Sequence, residues 1–259
     1  MIPEVLHHCS GVLAVSKPAG LPTQAVAGLA SVEVLVRRQL FGAAFAAAVA
    51  AGRSRHPGGF LGVPHRLDRL VSGVLLLATS PRAARQLSRQ FERRQIEKTY
   101  LAVADPVGAW RPAVGEAFRW RDAIRKIPEQ PRAEIVSAGD PGGREAVTSG
   151  RVIAVRDGKL LLQLQPLTGR MHQLRLQAAA RGLPLLGDSH YGGAAAAAAA
   201  SERPIALHAW AIDFFDPDTG EPVSCRCPLP PGPLWSGWPV YPAEGLSPAG
   251  ISTRSSPRS

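Results

Sequence analysis

The sequence predicts an α+β fold in which helices flank a largely antiparallel mixed sheet. Short apolar segments typical of strands follow one another without a regular βαβ repeat, and the Asp157-Gly158 pair between two of them is a hairpin signal. The 259 residues, 45% of them hydrophobic, are enough to bury a sizeable core. We expect one domain over residues 1–244, followed by a disordered Ser/Pro/Arg-rich tail over 245–259.

The first elements are two strands separated by a helix end and a loop. Val12–Val15 is an apolar strand candidate that runs into a Pro/Gly turn, which presents Lys17 at the strand end. Residues 42–60 are rich in Ala, Gly and Arg and indicate the end of a helix and a loop. Val71–Ala78 is the next strand candidate.

A helix with clear start signals comes next. Ser80 suits the N-cap, Pro81 suits the first helical position, and the helical pattern extends to about Arg94. Arginines share one face of this helix and apolar residues the other: Arg82, Arg85, Arg89 and Arg93 against Ala84, Leu87 and Phe91. We expect the arginine face to be exposed, either as solvated charge or as a surface that binds RNA backbone.

The remaining elements are three strands and a second helix. Ile96–Ala104, Val152–Ala154 and Leu160–Gln165 are the strand candidates, and the last two are joined by the hairpin turn. His172–Arg181 is predicted to be a helix that ends at Gly182.

The charge balance favours a polyanionic partner. The formal net charge is +10, and only four of the 30 basic residues are lysines. The planar guanidinium binds phosphate and stacks on bases, so an excess of arginine suits nucleic acid. Codon bias is the competing explanation, because alanine runs at 46–48 and 194–200 point the same way.

Cysteine usage and hydropathy exclude several classes of protein. Cys9, Cys225 and Cys227 form neither an even disulfide framework nor paired C-x-x-C metal motifs. The N-terminus lacks a signal pattern, and the apolar stretches are interrupted before membrane-spanning length. We therefore expect a cytoplasmic monomer that binds no metal and no membrane.

Four motifs follow one another in a set order. They are Lys17-Pro18-Ala19-Gly20, Pro64-His65-Arg66-Leu67-Asp68-Arg69-Leu70-Val71-Ser72-Gly73, Lys98-Thr99-Tyr100 and Gly169-Arg170-Met171-His172-Gln173-Leu174-Arg175. Together they resemble the motifs of the RluA-type family of RNA pseudouridine synthases, over roughly residues 12 to 213. The resemblance implies the pseudouridine synthase fold with an RNA-binding catalytic cleft, a catalytic domain over 1–244, and an rRNA or tRNA stem-loop as partner.

Asp68 is the candidate nucleophile. Isomerising uridine moves the sugar from the base nitrogen to carbon 5, which needs one nucleophile and no cofactor or metal. An aspartate, with a reference pKa of about 3.9, is ionised at neutral pH without a general base. A lone aspartate beside a strand is more often a turn residue, but the resemblance implies that Asp68 is catalytic. Attack on the base and attack on the sugar both stay open.

The resemblance also implies that residues near the nucleophile contact the substrate. Arg66 would fill the gap that the flipped uridine leaves, with a phosphate contact as the alternative. Lys17 and His65 are also expected to bind the substrate. His65 is expected to pack or contact the backbone rather than transfer a proton.

The fourth motif is expected to hold Asp68 in place. Arg170 is the predicted partner, because a buried carboxylate needs a charge-assisted donor. Arg175 would lie about 140° further round a helix, so we expect a structural role or an RNA contact for it. Leu174 would line the apolar wall of the pocket, or simply pack in the core.

Tyr100 is the remaining catalytic candidate. The resemblance places its ring over the uracil, where its hydroxyl could take the proton from carbon 5. A core aromatic residue is the alternative. The later segments 187–193 and 207–209 match weaker family blocks and are expected to shape loops near the cleft.

The sequence departs from the family pattern in two places. Val71 replaces a threonine that often follows the aspartate, which we interpret as local variation, and the Ala-rich segment 192–201 has no counterpart.

A base-removing glycosidase would need a second positioned carboxylate or an activated water. An RNA chaperone would keep the arginines without needing Asp68 or Tyr100. The sequence thus predicts an RNA pseudouridine synthase, with a non-catalytic RNA-binding protein of the same fold as the alternative.

Overall fold

The computed structural model describes residues 3–26, 29–52, 58–107, 110–192 and 203–238. The predicted tail at 245–259 and nearly all of the Ala-rich segment lie outside these residues. Within them, the strands are β1 (Glu4–Cys9), β2 (Val12–Lys17), β3 (Ser72–Ala78), β4 (Glu97–Ala104), β5 (Ala117–Lys126), β6 (Ala133–Val136), β7 (Arg144–Arg156), β8 (Lys159–Pro166), β9 (Leu207–Phe215) and β10 (Pro222–Arg226). The helices are α1 (Val32–Ala50), α2 (Pro81–Glu92) and α3 (Gln173–Ala179).

The described strands form one mixed sheet in the order β1-β2-β3-β9-β4-β8-β7-β5-β6, and β10 also pairs with β9. Every pairing is antiparallel except β3 with β9, which pair through Ser72 with His208 and Gly73 with Ala209. Gly73 has φ 122°, and a Cβ there would collide with the backbone of Ala209. Glycine is therefore required where the two strands meet, and the predicted α+β class is confirmed.

Most predicted elements are present, with some changes in length. The hairpin turn has φ 49° at Asp157 and 74° at Gly158, the type I′ geometry that this residue pair favours. The hydroxyl oxygen of Ser80 accepts a hydrogen bond from the amide of Ala83 at 3.1 Å, so the predicted cap is confirmed. Strand β7 is much longer than the three residues predicted. Helix α1 continues to Ala50 across a kink at Gly42, where φ is 44°.

The strands that lead to the motifs are held by burial. All seven residues of β3 are buried, as are the four apolar residues at the start of β2. One apolar cluster joins these strands to α1 and α2, and a second joins β4 and β8 to α3. Tyr100 packs against both clusters. Each buried leucine contributes about 1.5–3 kcal/mol, so the ends of β3 and β4 form a rigid base for the site.

The described helices include none that is long and apolar enough to cross a membrane. All three cysteines are free: Cys225 and Cys227 are buried, and Cys9 is exposed.

Candidate active site

A cleft of about 760 Å³ brings together three of the four sequence motifs. The segment before β3, the end of α2 with the start of β4, and the turn before α3 form its walls. The predicted site residues that line it are His65, Arg66, Asp68, Tyr100, Arg170, Leu174 and Arg175. Lys17 does not line it.

Lys17 supports the Asp68 loop from beneath. Its ammonium group is fully buried and donates hydrogen bonds to the carbonyl oxygens of Pro18 (2.9 Å), Leu21 (2.7 Å) and Arg69 (3.1 Å). These bonds use all three ammonium protons. Burial lowers the pKa of Lys17 to about 7, against the opposing effect of Asp68. The predicted substrate contact is wrong at this residue, because the side chain points inward to backbone carbonyls.

Thr23, which lies outside the four motifs, helps to fix the same loop. Its hydroxyl donates to the carbonyl of Leu67 at 3.0 Å and accepts from the amide of Leu67 at 3.1 Å. The amide of Gly20 donates to the carbonyl of Arg69 at 2.7 Å. The turn after β2 thus holds the backbone on both sides of Asp68 through hydrogen bonds to Leu67 and Arg69.

His65 and Arg66 play different structural roles although they are adjacent. The Nε2 atom of His65 accepts a hydrogen bond from the amide of Leu76 at 2.9 Å, and its ring lies against Phe91. Burial and the charge of Lys98 lower the pKa of His65 to about 3, so the ring is neutral. The expected backbone contact is confirmed. Arg66 is exposed at the rim of the cleft.

Arg175, and not Arg170, reaches the candidate nucleophile. The Nη1 atom of Arg175 lies 3.4 Å from Oδ2 of Asp68. Arg170 instead donates from Nε to the carbonyl of Glu145 at 2.9 Å. The predicted pairing of Arg170 with Asp68 is therefore wrong. The reason is local: His172 has φ 52° and ψ 23°, so helix α3 begins only at Gln173, and the phase of the helix turns Arg175 inward.

Asp188 anchors Arg175. Its two carboxylate oxygens accept hydrogen bonds from Nε and Nη2 of Arg175 at 2.8 and 2.9 Å, and both side chains are almost fully buried. The amides of His190 and Tyr191 also donate to Asp188. Burial acts to raise the pKa of Asp188, but the hydrogen bonds and charge of Arg175, together with the amides of Tyr191 and His190, outweigh it and hold the pKa below its ordinary value. The loop-shaping role expected of this segment thus includes orienting an arginine.

Tyr100 and Leu174 contribute the apolar part of the cleft. Leu174 is buried in the cluster beneath α3 and lines the wall, as expected. Burial, with a smaller effect of the Asp68 charge, raises the pKa of Tyr100. Its phenol is therefore protonated at neutral pH, which favours a stacking role over proton removal.

Two cleft residues were named in the motifs but given no role. The Nε2 atom of His172 lies 3.7 Å from Oδ2 of Asp68. Lys98 projects into the cleft from β4, and burial lowers its pKa. Their positions within the motifs were the available signal. Among the residues that the structure describes, no group of three or more His, Cys, Asp and Glu side chains could hold a metal ion.

Comparisons with known proteins all lead to one family. The model of a family described as RNA pseudouridylate synthase matches residues 11–180. The ribosomal large subunit pseudouridine synthase D of Xanthomonas campestris is 32% identical over 237 residues, which cover 88% of this chain and 66% of that protein. The tRNA pseudouridine synthase C of Salmonella typhi is 35% identical over 175 residues, 64% of this chain and 66% of that protein.

The fold has a solved counterpart. The structure of human RNA pseudouridylate synthase domain containing 1 superposes with a TM-score of 0.65 at 24% identity, covering 88% of this chain and 84% of that one. At that level of identity the likeness concerns the fold.

Proposed function

The chain belongs to the RNA pseudouridylate synthase family, in its RluA-type branch, and we propose that it isomerises specific uridines of rRNA or tRNA with Asp68 as the nucleophile. The observation that carries this proposal is the placement of Asp68. Its carboxylate stands in the cleft with 28% of the side chain exposed, and a buried arginine that is itself anchored by Asp188 fixes one of its oxygens.

The contacts among the described residues distinguish the two oxygens of the Asp68 carboxylate. Within that part of the chain, the close contacts from Arg175 and His172 both fall on Oδ2. Oδ1 is thus the atom that attacks, either at the base or at the sugar. In the net reaction the bond from the sugar to nitrogen 1 breaks, a bond to carbon 5 forms, carbon 5 loses its proton and nitrogen 1 gains one. Atoms and electrons balance without a cofactor, so one carboxylate suffices.

The target base must leave its stack before it reaches Asp68. Arg66 lies at the rim, two residues before the nucleophile, and we assign it to the space that the flipped uridine vacates. Tyr100 and Leu174 provide the apolar surface on which the uracil ring packs.

RNA is the partner that the charge of the cleft fits. Two acidic residues, Asp68 and Glu92, line its walls. The basic residues that line them number six: Arg66, Arg94, Lys98, Lys126, Arg170 and Arg175. The end of α2 forms one wall, and the predicted arginine face of that helix is exposed at Arg85, Arg89 and Arg93. We propose that RNA backbone runs from the cleft along α2.

Three further assignments complete the proposal: the catalytic domain, the oligomeric state and the location in the cell. We assign catalysis to one domain over 1–244, whose family match covers most of the sheet, and we propose that the protein acts as a monomer in the cytoplasm. A non-catalytic RNA chaperone would have no use for a buried Arg175–Asp188 pair that fixes a single carboxylate in a basic cleft.

The test is to map pseudouridine in total RNA from cells that lack the gene and from the same cells complemented with wild type or with Asp68→Ala. A uridine modified only with wild type would identify the reaction, the substrate and the nucleophile. Modification by Asp68→Ala would refute the nucleophile. No change at any site in rRNA or tRNA would refute the proposed substrates and leave RNA binding as the activity to measure.

A further inference from the structure

His172 has a backbone conformation that is uncommon for residues other than glycine. Its φ of 52° and ψ of 23° lie in the left-handed region, and its side chain makes no capping bond at the start of α3. Strained residues persist where the surroundings hold them, and they are frequent at active sites. Here the strain turns the imidazole into the cleft, where its side chain is only 10% exposed.

The imidazole connects Asp68 to a distant strand. Its Nε2 atom lies 3.7 Å from Oδ2 of Asp68, and its Nδ1 atom lies 3.0 Å from the hydroxyl oxygen of Tyr191. That hydroxyl also contacts the backbone of Ala133 at the start of β6: the amide at 3.0 Å and the carbonyl oxygen at 3.2 Å. A continuous polar chain therefore runs from the nucleophile to the β5–β6 hairpin.

The number of available protons limits this hydrogen-bonded path to two arrangements. The Ala133 amide donates to Tyr191, so the single Tyr191 proton goes either to the Ala133 carbonyl or to Nδ1 of His172. In the first case a neutral His172 carries its proton on Nδ1, and the lone pair of Nε2 faces the Asp68 carboxylate. In the second case an Nε2–H faces that carboxylate. The negative charge of Asp68, 3.7 Å from Nε2, favours the second arrangement, in which the Tyr191 hydroxyl donates to His172 and no longer to the Ala133 carbonyl; the 3.0 Å contact of Tyr191 with His172 fits both arrangements.

The neutral form of His172 is the relevant one. Burial lowers its pKa, and Arg175 and His190 lower it further, while Asp68 and Asp188 act in the opposite direction. Burial also raises the pKa of Tyr191, which keeps its hydroxyl protonated and able to donate. A neutral imidazole needs a partner that selects its tautomer, and Tyr191 is that partner.

We propose that His172 is a positioning residue for Asp68, and that the Tyr191 hydroxyl selects the tautomer whose Nε2–H points at the nucleophile. This inference rests on the proposed function, since it assigns His172 to the same reaction. The 3.7 Å separation belongs to the site without substrate, and such bonds tighten when a substrate is bound. Arg175 would then hold Asp68 by charge and His172 would fix its direction.

A double-mutant cycle on the single-turnover rate tests the catalytic part. His172→Asn removes the imidazole, and asparagine tolerates the left-handed backbone; Tyr191→Phe keeps the ring and removes only the hydroxyl. We expect His172→Asn to slow the reaction about 100-fold, in line with the cost of a misplaced catalytic group, with RNA affinity within about threefold of wild type. Tyr191→Phe should slow it about tenfold, and should have no further effect in the His172→Asn background.

Additive effects of the two substitutions on the rate would overturn the proposal, as would an unchanged rate in His172→Asn. His8→Asn, on an exposed residue of β1, is the matched control and should leave the rate unchanged. Thermal unfolding of each variant distinguishes a loss of structure from a loss of positioning. If Tyr191→Phe acts by disrupting the structure, it lowers stability both in wild type and in the His172→Asn background.

The tautomer itself is visible by nitrogen-15 NMR of the histidine rings in the full-length protein. The signals absent from His172→Asn belong to His172, and we expect the Nε2–H form in wild type and a mixture in Tyr191→Phe. An Nδ1–H form in wild type would overturn the proposal. This measurement needs no turnover, so it decides the role of Tyr191 even if wild type forms no pseudouridine and the proposed function fails.

Discussion

Arg175 binds Asp188 through two hydrogen bonds, and this pairing holds its Nη1 atom 3.4 Å from Asp68. The site carboxylate is thus positioned by a second carboxylate that substrate does not reach, since Asp188 is 1% exposed. The two acids share one guanidinium, and each depends on the geometry that the other imposes.

Asp188→Asn should therefore destabilise the fold as well as slow catalysis. It leaves the buried charge of Arg175 without its bidentate partner, which costs about 3–5 kcal/mol. Urea unfolding measures the loss. The matched control is Asp218→Asn, which removes the exposed ion pair with Arg82 and should cost under about 1 kcal/mol. Equal losses in the two variants would show that the buried pair has no special weight.

The two arginines of the fourth motif should separate by kinetic effect. Arg175→Lys supplies a single point charge, which cannot serve both carboxylates, so the single-turnover rate should fall by about 100-fold or more. Arg170→Lys should mainly raise KM, because Arg170 contacts the backbone of Glu145 and not the nucleophile. Rates measured at saturating RNA check this, and the reverse order would restore Arg170 as the partner of Asp68.

The arginine face of α2 should contribute to the salt dependence of RNA binding. Replacing Arg85, Arg89 and Arg93 with glutamine removes up to three phosphate contacts, which should lower the slope of log affinity against log salt by about 2. A control triple variant at Arg38, Arg111 and Arg156, all exposed and outside the cleft walls, should leave the slope unchanged. If both variants lose the same slope, the effect reflects total charge and not the α2 surface.

Buried histidines should make the fold sensitive to mild acid. The pKa of His65 is lowered to about 3 and that of His208 to about 4, mainly by burial. Between pH 6.5 and about 4 the unfolded chain therefore binds protons that the folded chain refuses. Stability falls as the pH falls, by up to about 1.4 kcal/mol per pH unit for each histidine.

Urea unfolding at pH 7, 6 and 5 tests this dependence. His208 bonds to Ser72 and to the carbonyl of Cys227, so His208→Gln lowers stability at every pH but should remove its part of the slope. A slope identical to wild type would show that His208 has the same pKa in the folded and the unfolded chain.

Lys17→Met should lower both stability and turnover. The substitution keeps the length of the side chain but removes the ammonium donor from three half-buried carbonyls, of which that of Arg69 keeps the bond from the Gly20 amide; each carbonyl left unsatisfied costs about 1–3 kcal/mol. The Asp68 loop loses a support, so the rate should fall while RNA affinity stays the same. Lys159→Met, on the β7–β8 hairpin, is the control and should stay within about 0.5 kcal/mol of wild type. A selective loss of RNA affinity in Lys17→Met would point back to a substrate contact.

The sequence predicted those parts of the molecule that local signals determine. The buried strands β2 and β3 appear as apolar runs, α2 carries its own cap, and the Asp157-Gly158 turn requires a hairpin. Strand β1, with its polar and exposed residues at the sheet edge, has no such signal. The pairing of β3 with β9 joins residues more than 130 positions apart and has none either.

The same distinction applies to the site. The motifs identified most of the residues that line the cleft, because those residue types suit the chemistry. The partner of Asp68 was assigned incorrectly because spacing along the chain does not reveal the left-handed residue at His172, which sets the phase of α3. Lys17 was assigned incorrectly because its burial depends on carbonyls that only the folded loop brings together.

The junction at Gly73 has a consequence for how the protein folds. Asp68 precedes that junction, whereas Arg175 and Asp188 come from the far side of the sheet, and Ser72 meets His208 across 136 positions of sequence. Contacts of such high sequence separation form late, because a long loop must close first. Neither half of the sheet on its own contains both the carboxylate and its arginine. A nascent chain is therefore inactive until β9 has been synthesised and inserted between β3 and β4.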